Sequence, residues 1–259
     1  MKMHCAAVLL ASLAPLCAQA QESVPPGQWR IGVGVAIRDT LYAGQDNRVL
    51  AFPLIDYEGE RFYWKGLDIG YQLIEHDGFK LNGFIGARLD GMDADDFGTR
   101  ALARNGIDRD LLEDRDNAIN AGISAVWTGQ AGEFELSAET DITGASDGYR
   151  GALEYRYPFQ VGAVRLIPSI GIKLLSRDYA DYYYGTLPEE VARGVIDYRP
   201  GRSTIAHAGL AAIVPFHARW ASVVAVEVER FPGDIADSPL IEPDTNLVPT
   251  VFVGISRSF

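Results

Sequence analysis

Cysteine is almost missing from this chain: two residues among 259, Cys5 and Cys17, both inside the first twenty positions. The remainder can therefore hold neither a disulfide framework nor a thiolate metal site. Past that leader there is also no run of about eighteen apolar residues, which excludes a helical membrane span. Positive charge is short, with 23 Lys and Arg against 35 Asp and Glu and a formal net charge of -12. That balance argues against nucleic acid as a partner and against electrostatic capture on an anionic surface. Histidine is scarce as well: His76, His207 and His217 follow the leader, at spacings that fit no zinc site. Clear amphipathic-helix periodicity is lacking.

The leader reads as a targeting segment. Lys2 gives a short basic start, Cys5 to Leu16 (CAAVLLASLAPL) is an apolar run too short to span a bilayer, and Ala18-Gln19-Ala20 forms an A-x-A cleavage site. A lipid anchor on Cys17 fits poorly, because Pro15 and Leu16 precede it. The expected organisation is a signal peptide over 1–20, a Pro-containing linker over 21–28 and one domain over 29–259.

What is abundant is alternation with period two, in segments bounded by Gly, Asp, Asn or Pro. Ile31, Val33, Val35 and Ile37 form one apolar row, and Leu67, Ile69, Tyr71 and Leu73 another. Phe134, Leu136 and Ala138 alternate with Glu133, Glu135, Ser137 and Glu139, and Val224, Val226 and Val228 with Glu227 and Glu229. The last strand, Thr250 to Phe259, runs to the terminal carboxylate and ends on an aromatic residue. Nothing follows to cover its edge, so it must pair with another strand, and closure into a barrel is one solution. Arg257 is the misfit in its apolar row.

A soluble sandwich and a membrane barrel share such alternation, but connection lengths separate them. Short turns at His76 to Gly78, Gly129 to Gly132, Phe159 to Gly162 and Phe216 to His217 alternate with long loops at Gly91 to Asp116, Arg177 to Gly201 and Phe231 to Asn246. Asp39 to Asn47 and Ile142 to Asp147 fall on the long-loop side. Short turns on one rim and long loops on the other are the mark of outer-membrane barrels. The fold class expected is all-β: a closed antiparallel transmembrane β-barrel of about twelve strands, with ten as the fallback, both termini on the periplasmic rim and long extracellular loops. The fallback exists because Glu60 to Gly66 is too short for a full span. In this threading Trp29, Phe79, Trp127, Phe134, Trp220 and Phe259 gather on the short-turn side as an interfacial girdle. Hairpin geometry brings Glu139 near Arg150 and Glu133 near Arg156, so ion pairs fill part of the lumen. The strand count leaves open whether a pore remains.

Few stretches invite chemistry. The loop Asp90 to Asp116 carries nine acids against four arginines, without EF-hand spacing, and reads as a solvated loop. His207 points into the lumen with Ser203 and Gly209, whereas Ser222 aligns with the lipid-facing set, so no nucleophile and base pair up. No catalytic residue, cofactor site or metal site is expected, and the chain reads as a non-enzyme.

Four segments resemble signatures of a known family in order along the chain: PLIDYEGERFYWKG (Pro53 to Gly66), DITGASDGYRG (Asp141 to Gly151), DYADYYYG (Asp178 to Gly185) and DSPLI (Asp237 to Ile241). A further stretch, LLEDRDNAINAG (Leu111 to Gly122), is similar to the family's segment before its central strand, although Glu113 and Asp114 replace its usual Gly-hydrophobic pair. Together they resemble the MipA/OmpV family, the outer-membrane MltA-interacting proteins. The resemblance implies residence in the outer membrane of a Gram-negative cell, contact with its lipid, and a scaffold joining a murein transglycosylase to a penicillin-binding protein at the peptidoglycan. A small-solute diffusion channel is the alternative, and a surface adhesin a third reading. The tyrosine cluster Asp178 to Gly185 is open to two readings, an interaction patch or an aromatic girdle at the outer rim.

Overall fold

In a computed structural model, which describes residues 27–259, one antiparallel sheet takes up nearly all of the regular structure. Its strands are β1 (Gln28–Arg38), β2 (Arg48–Glu58), β3 (Phe62–Lys65), β4 (Asp68–His76), β5 (Phe79–Arg88), β6 (Ala118–Gly129) and β7 (Gly132–Asp141). There follow β8 (Tyr149–Arg156), β9 (Phe159–Val161), β10 (Val164–Leu175), β11 (Ser203–His217), β12 (Trp220–Arg230) and β13 (Leu247–Ser258). Apart from β8 and β9, each strand pairs with its neighbour in sequence, and β13 pairs with β1 from Arg30↔Ser258 to Arg38↔Thr250, so the sheet closes. β8 and β9 lie end to end against β10, broken at Tyr157-Pro158, and form one stave. The wall thus has twelve staves, and Glu60 to Gly66 supplies the short one, β3. The leader and linker residues 21–26 lie outside the described residues, while Gln28, expected in the linker, opens β1.

The alternation sorts residues to the two faces as the pleat requires. On β1, Val33 is 63% exposed while Ala36, three residues on, is 0%. Val224, Val226 and Val228 of β12 face outward and Glu227 and Glu229 inward. An apolar outer band with polar side chains inside suits hydrocarbon outside and water within. No helix among the described residues is long and apolar enough to cross a membrane.

Two turns lie further along the chain than expected. β9 occupies Phe159–Val161, which leaves Gly162-Ala163 as the turn, and β11 runs on to His217, which leaves Ala218-Arg219. A bulge between Pro215 and His217 absorbs the extra length of β11. Strand prolines mark missing partners, since proline has no amide to donate to a ladder. Pro53 sits where β2 has outrun β3, whose register stops at Asp56↔Lys65. Pro168 faces the break between β8 and β9, and Pro249 lies beyond the last β1–β13 pair.

The six girdle aromatics all stand at the short-turn rim, four of them in stacked or tilted pairs: Phe79 on Trp127 (5.2 Å), Trp29 on Tyr57 (4.5 Å) and Phe134 on Tyr155 (4.6 Å). Arg257 belongs to the same belt. Its guanidinium lies 4.9 Å from the Phe259 ring centroid and 5.7 Å from that of Trp220, which turns the misfit into a cation–π bridge between two girdle residues.

Candidate functional site

The barrel interior is built in two unequal arcs. Along β10 to β13, β1 and β2 the inward residues are mostly apolar, and Ala36, Leu54, Ile213, Val223, Ala225 and Phe252 pack together, with Phe52 stacked on Phe252 at 5.5 Å. Along β4 to β8 and β10 they are largely polar, many of them charged, and surround a cavity of about 620 Å³. The cavity reaches the short-turn rim at Gly78, Gly129, Gln130 and Gly132. None of the residues in the buried core of the long loops lines it.

Its upper wall is an ion network built across adjacent strands. Arg88 donates to Asp68 at 2.6 Å and through Nη2 to Glu139 at 2.5 Å, and Arg150, opposite Glu139 in the β7–β8 register, also binds Glu139. Lower down, Arg156 of β8 reaches three carboxylates: Glu133 opposite it, Glu135, and Glu154 at 3.2 Å. Both hairpin pairs expected from the sequence are present. Lys173 donates to Glu229 at 2.6 Å, and Arg38 lies 2.7 Å from the same residue.

His207 stands where sequence alternation places it, in the lumen, in a row that runs Glu135, Glu154, Gly171, His207, Glu229 across five strands. Its ring lies over Gly171, where a Cβ would come within 2.6 Å of Nε2, so the glycine makes room for the imidazole. Ser222 faces outward on β12, and the two do not meet. Although His207 is only 4% exposed, neither ring nitrogen has a hydrogen-bond partner; the same holds for Asn82 Oδ1 and Arg156 Nε. All three residues line the cavity. Sequence reasoning placed Arg156 and His207 on the inner face but missed Asn82, whose signal is a lone amide at an inward position of β5.

The opposite rim overturns both readings of the tyrosine cluster; in the loop Asp90 to Asp116 every acid but Asp90 is exposed, as a solvated run requires, while most of the apolar residues between them are buried. Leu41 and Tyr42 of the first loop, Phe97, Leu102 and Ile107 of the acidic loop, Tyr179 and Tyr183 of the tyrosine cluster, and Ile235 and Leu240 of the last loop form one buried core. The cluster is neither a patch nor a girdle because it folds as a helix, Arg177–Tyr184, whose N-cap Ser176 accepts from the Tyr179 amide. Tyr179 and Tyr183, four apart, share its inner face with ring centroids 4.8 Å apart. Their hydroxyls find partners inside the cap: Tyr179 donates to Asp90 at 2.5 Å and Tyr183 to the Asp116 carbonyl at 3.1 Å. Burial first, and then Asp90, hold both phenols well above their usual range. The acids act as ties, with Asp114 accepting from the Ala94 amide and Glu113 bound to Arg193. Arg115 and Glu190 join the acidic loop to the tyrosine loop through two parallel hydrogen bonds.

A protein-family model described as "MltA-interacting protein MipA" matches residues 31–259, the whole barrel but for its first strand residues. The chain is 27% identical over 241 residues to YiaT of Escherichia coli (strain K12), an outer membrane protein by name, spanning 92% of this chain and 93% of that protein. It is 28% identical over 237 residues to the MltA-interacting protein of the same strain, spanning 90% and 91%. It is 26% identical over 216 residues to the outer membrane protein OmpV of Vibrio cholerae, spanning 83% and 81%.

Proposed function

Because the chain belongs to the MipA family of MltA-interacting proteins, and is an outer-membrane β-barrel, we propose that it works as a non-enzymatic scaffold for murein-processing enzymes. The observation that carries this reading is the asymmetry of the two rims. The long loops bury their apolar side chains against one another in a packed cap, whereas the short-turn rim keeps its turns exposed and carries the mouth of the cavity. With the termini on the short-turn rim, that rim faces the periplasm, where murein lies. The name of the Escherichia coli relative, MltA-interacting protein, supports a murein transglycosylase as the partner class, and the proposed assembly adds a penicillin-binding protein to it.

Short turns offer little area, near the low end of the roughly 1,200 Å² that weak interfaces bury, so modest affinity is expected. The diffusion-channel reading draws on the charged cavity, and the cap lying across the outer end weighs against it. The test is capture of a lytic transglycosylase by folded barrels. One variant has Gln130 and Ala131 replaced by Asp and Gly; the other has residues 93–110 shortened. The scaffold reading expects the turn variant to lose capture and the loop variant to keep it. The reverse pattern would move the function to the outer surface.

A further inference from the structure

We propose that the cavity is a receptor site for a short peptide zwitterion that enters from the periplasmic rim with its ammonium group foremost. Arg156 serves three carboxylates, Glu133, Glu135 and Glu154, so this part of the wall has two negative charges more than its one cation balances. Glu135 and Glu154 stand directly opposite each other in the β7–β8 register, a like-charge pairing that Arg156 Nη2, in contact with both, offsets only in part because the guanidinium is shared with Glu133. A ligand ammonium group supplies further cationic charge beside these three carboxylates, which have a single guanidinium among them.

Polar atoms without partners point the same way. Asn82 Oδ1 is an acceptor awaiting a donor, Arg156 Nε–H is a donor awaiting an acceptor, and His207, 96% buried by its 4% exposure, can supply either from its two ring nitrogens. Buried polar groups are ordinarily satisfied, and these three line one cavity.

For the other end of the ligand the structure has a free cation. Arg165 lines the same cavity and makes no ion pair among the described residues. It stands four residues before Ser169, the cross-strand partner of Arg156, which is roughly 13 Å at about 3.3 Å per residue. That is the length of an extended tripeptide or tetrapeptide, whose carboxylate a guanidinium binds in bidentate fashion. The volume, about 620 Å³, falls within the roughly 300–1,000 Å³ of small-molecule sites. The proposal depends on the cavity opening at the periplasmic rim and not on capture of a murein enzyme, so either can fail alone.

The test uses the full exported chain folded in detergent micelles, with trialanine, N-acetyl-trialanine and trialanine amide as probes by titration calorimetry. Trialanine should bind saturably at one site, and loss of either charged end should weaken binding at least tenfold. Arg165→Ala should weaken trialanine to the level of the amide and leave the amide unchanged, and Glu154→Gln should weaken trialanine but leave the acetylated peptide unchanged. If Glu154→Gln yields no heat-modifiable folded barrel, Arg165→Ala, whose side chain pairs with no carboxylate, carries the test. Absence of saturable binding, equal binding of all three probes, or an Arg165→Ala variant that binds like the wild type would overturn the proposal. So would binding of a murein disaccharide-peptide, whose stem amine is acylated, in place of trialanine.

Discussion

Arg115 and Glu190, 75 residues apart in sequence, face each other as a fork on a fork, Nη1 to Oε1 at 2.8 Å and Nη2 to Oε2 at 3.0 Å, with side-chain exposures of 3% and 0%. Glu190 also accepts from the backbone amides of Glu113 and Leu187, so all its acceptor capacity is used inside the cap. This pair binds the acidic loop to the loop that carries the tyrosine helix.

Removing one member of a buried pair leaves the other charge without compensation, at a cost of about 3–5 kcal/mol. Glu190→Ala should therefore open the cap while the barrel wall, held by its own ladders, stays closed. Limited trypsin digestion of the folded barrel reads this directly: cleavage at Arg100, Arg104 or Arg109 should appear in the variant and not in the wild type. A variant cap as resistant as the wild type would mean that the apolar core alone holds the loops.

The face assignment on β12 gives a second expectation. Val226 is 44% exposed and Glu227 2%, so Val226→Arg puts a charge against lipid at about 2–4 kcal/mol, while Glu227→Ala removes a lumenal group. The yield of heat-modifiable folded barrel should fall for Val226→Arg well below that for Glu227→Ala. Equal yields would contradict the assignment.

Alkaline pH should dissolve the cap before the wall. The phenols of Tyr179, Tyr183 and Tyr184 are raised by burial first, with neighbouring acidic groups adding to it. A raised folded-state pKa means that the stability these groups contribute is fully present below the unfolded value, near 10, and is lost as pH rises beyond it. Absorbance at 295 nm should show the cap tyrosines staying neutral until the loops become protease-sensitive. One titration step for every tyrosine would show that the cap does not bury them.

How far the sequence carried depends on how local the signal was. The barrel was legible because each stave writes its own period-two pattern, and because turn and loop lengths alternate along the chain. Glu139 with Arg150 and Glu133 with Arg156 were legible for the same reason, one hairpin fixing both registers. The cap was not, because its core joins four loops far apart in sequence, and its helices, of four to eight residues, are too short to show a 3.6-residue period. Its charges hid it further: Asp90 read as one solvated acid among nine until Tyr179 is placed beside it, and Glu190 carries no local sign of its pairing with Arg115. Pro53, Pro168 and Pro249 were signals of missing strand partners that a reading by alternation passes over. The carboxylates around Arg156 lie on that same β7–β8 hairpin, whereas the approach of Asn82 to their cavity needed the closed barrel.

The central claim is that the lumen is a blind vestibule, open at the periplasmic rim and closed by the cap. Conductance across planar lipid bilayers measures this most directly. Folded wild-type barrels should leave the membrane at its baseline, whereas barrels with residues 93–110 shortened should conduct. A steady ohmic current through the wild type would contradict the account and make the diffusion channel the better description.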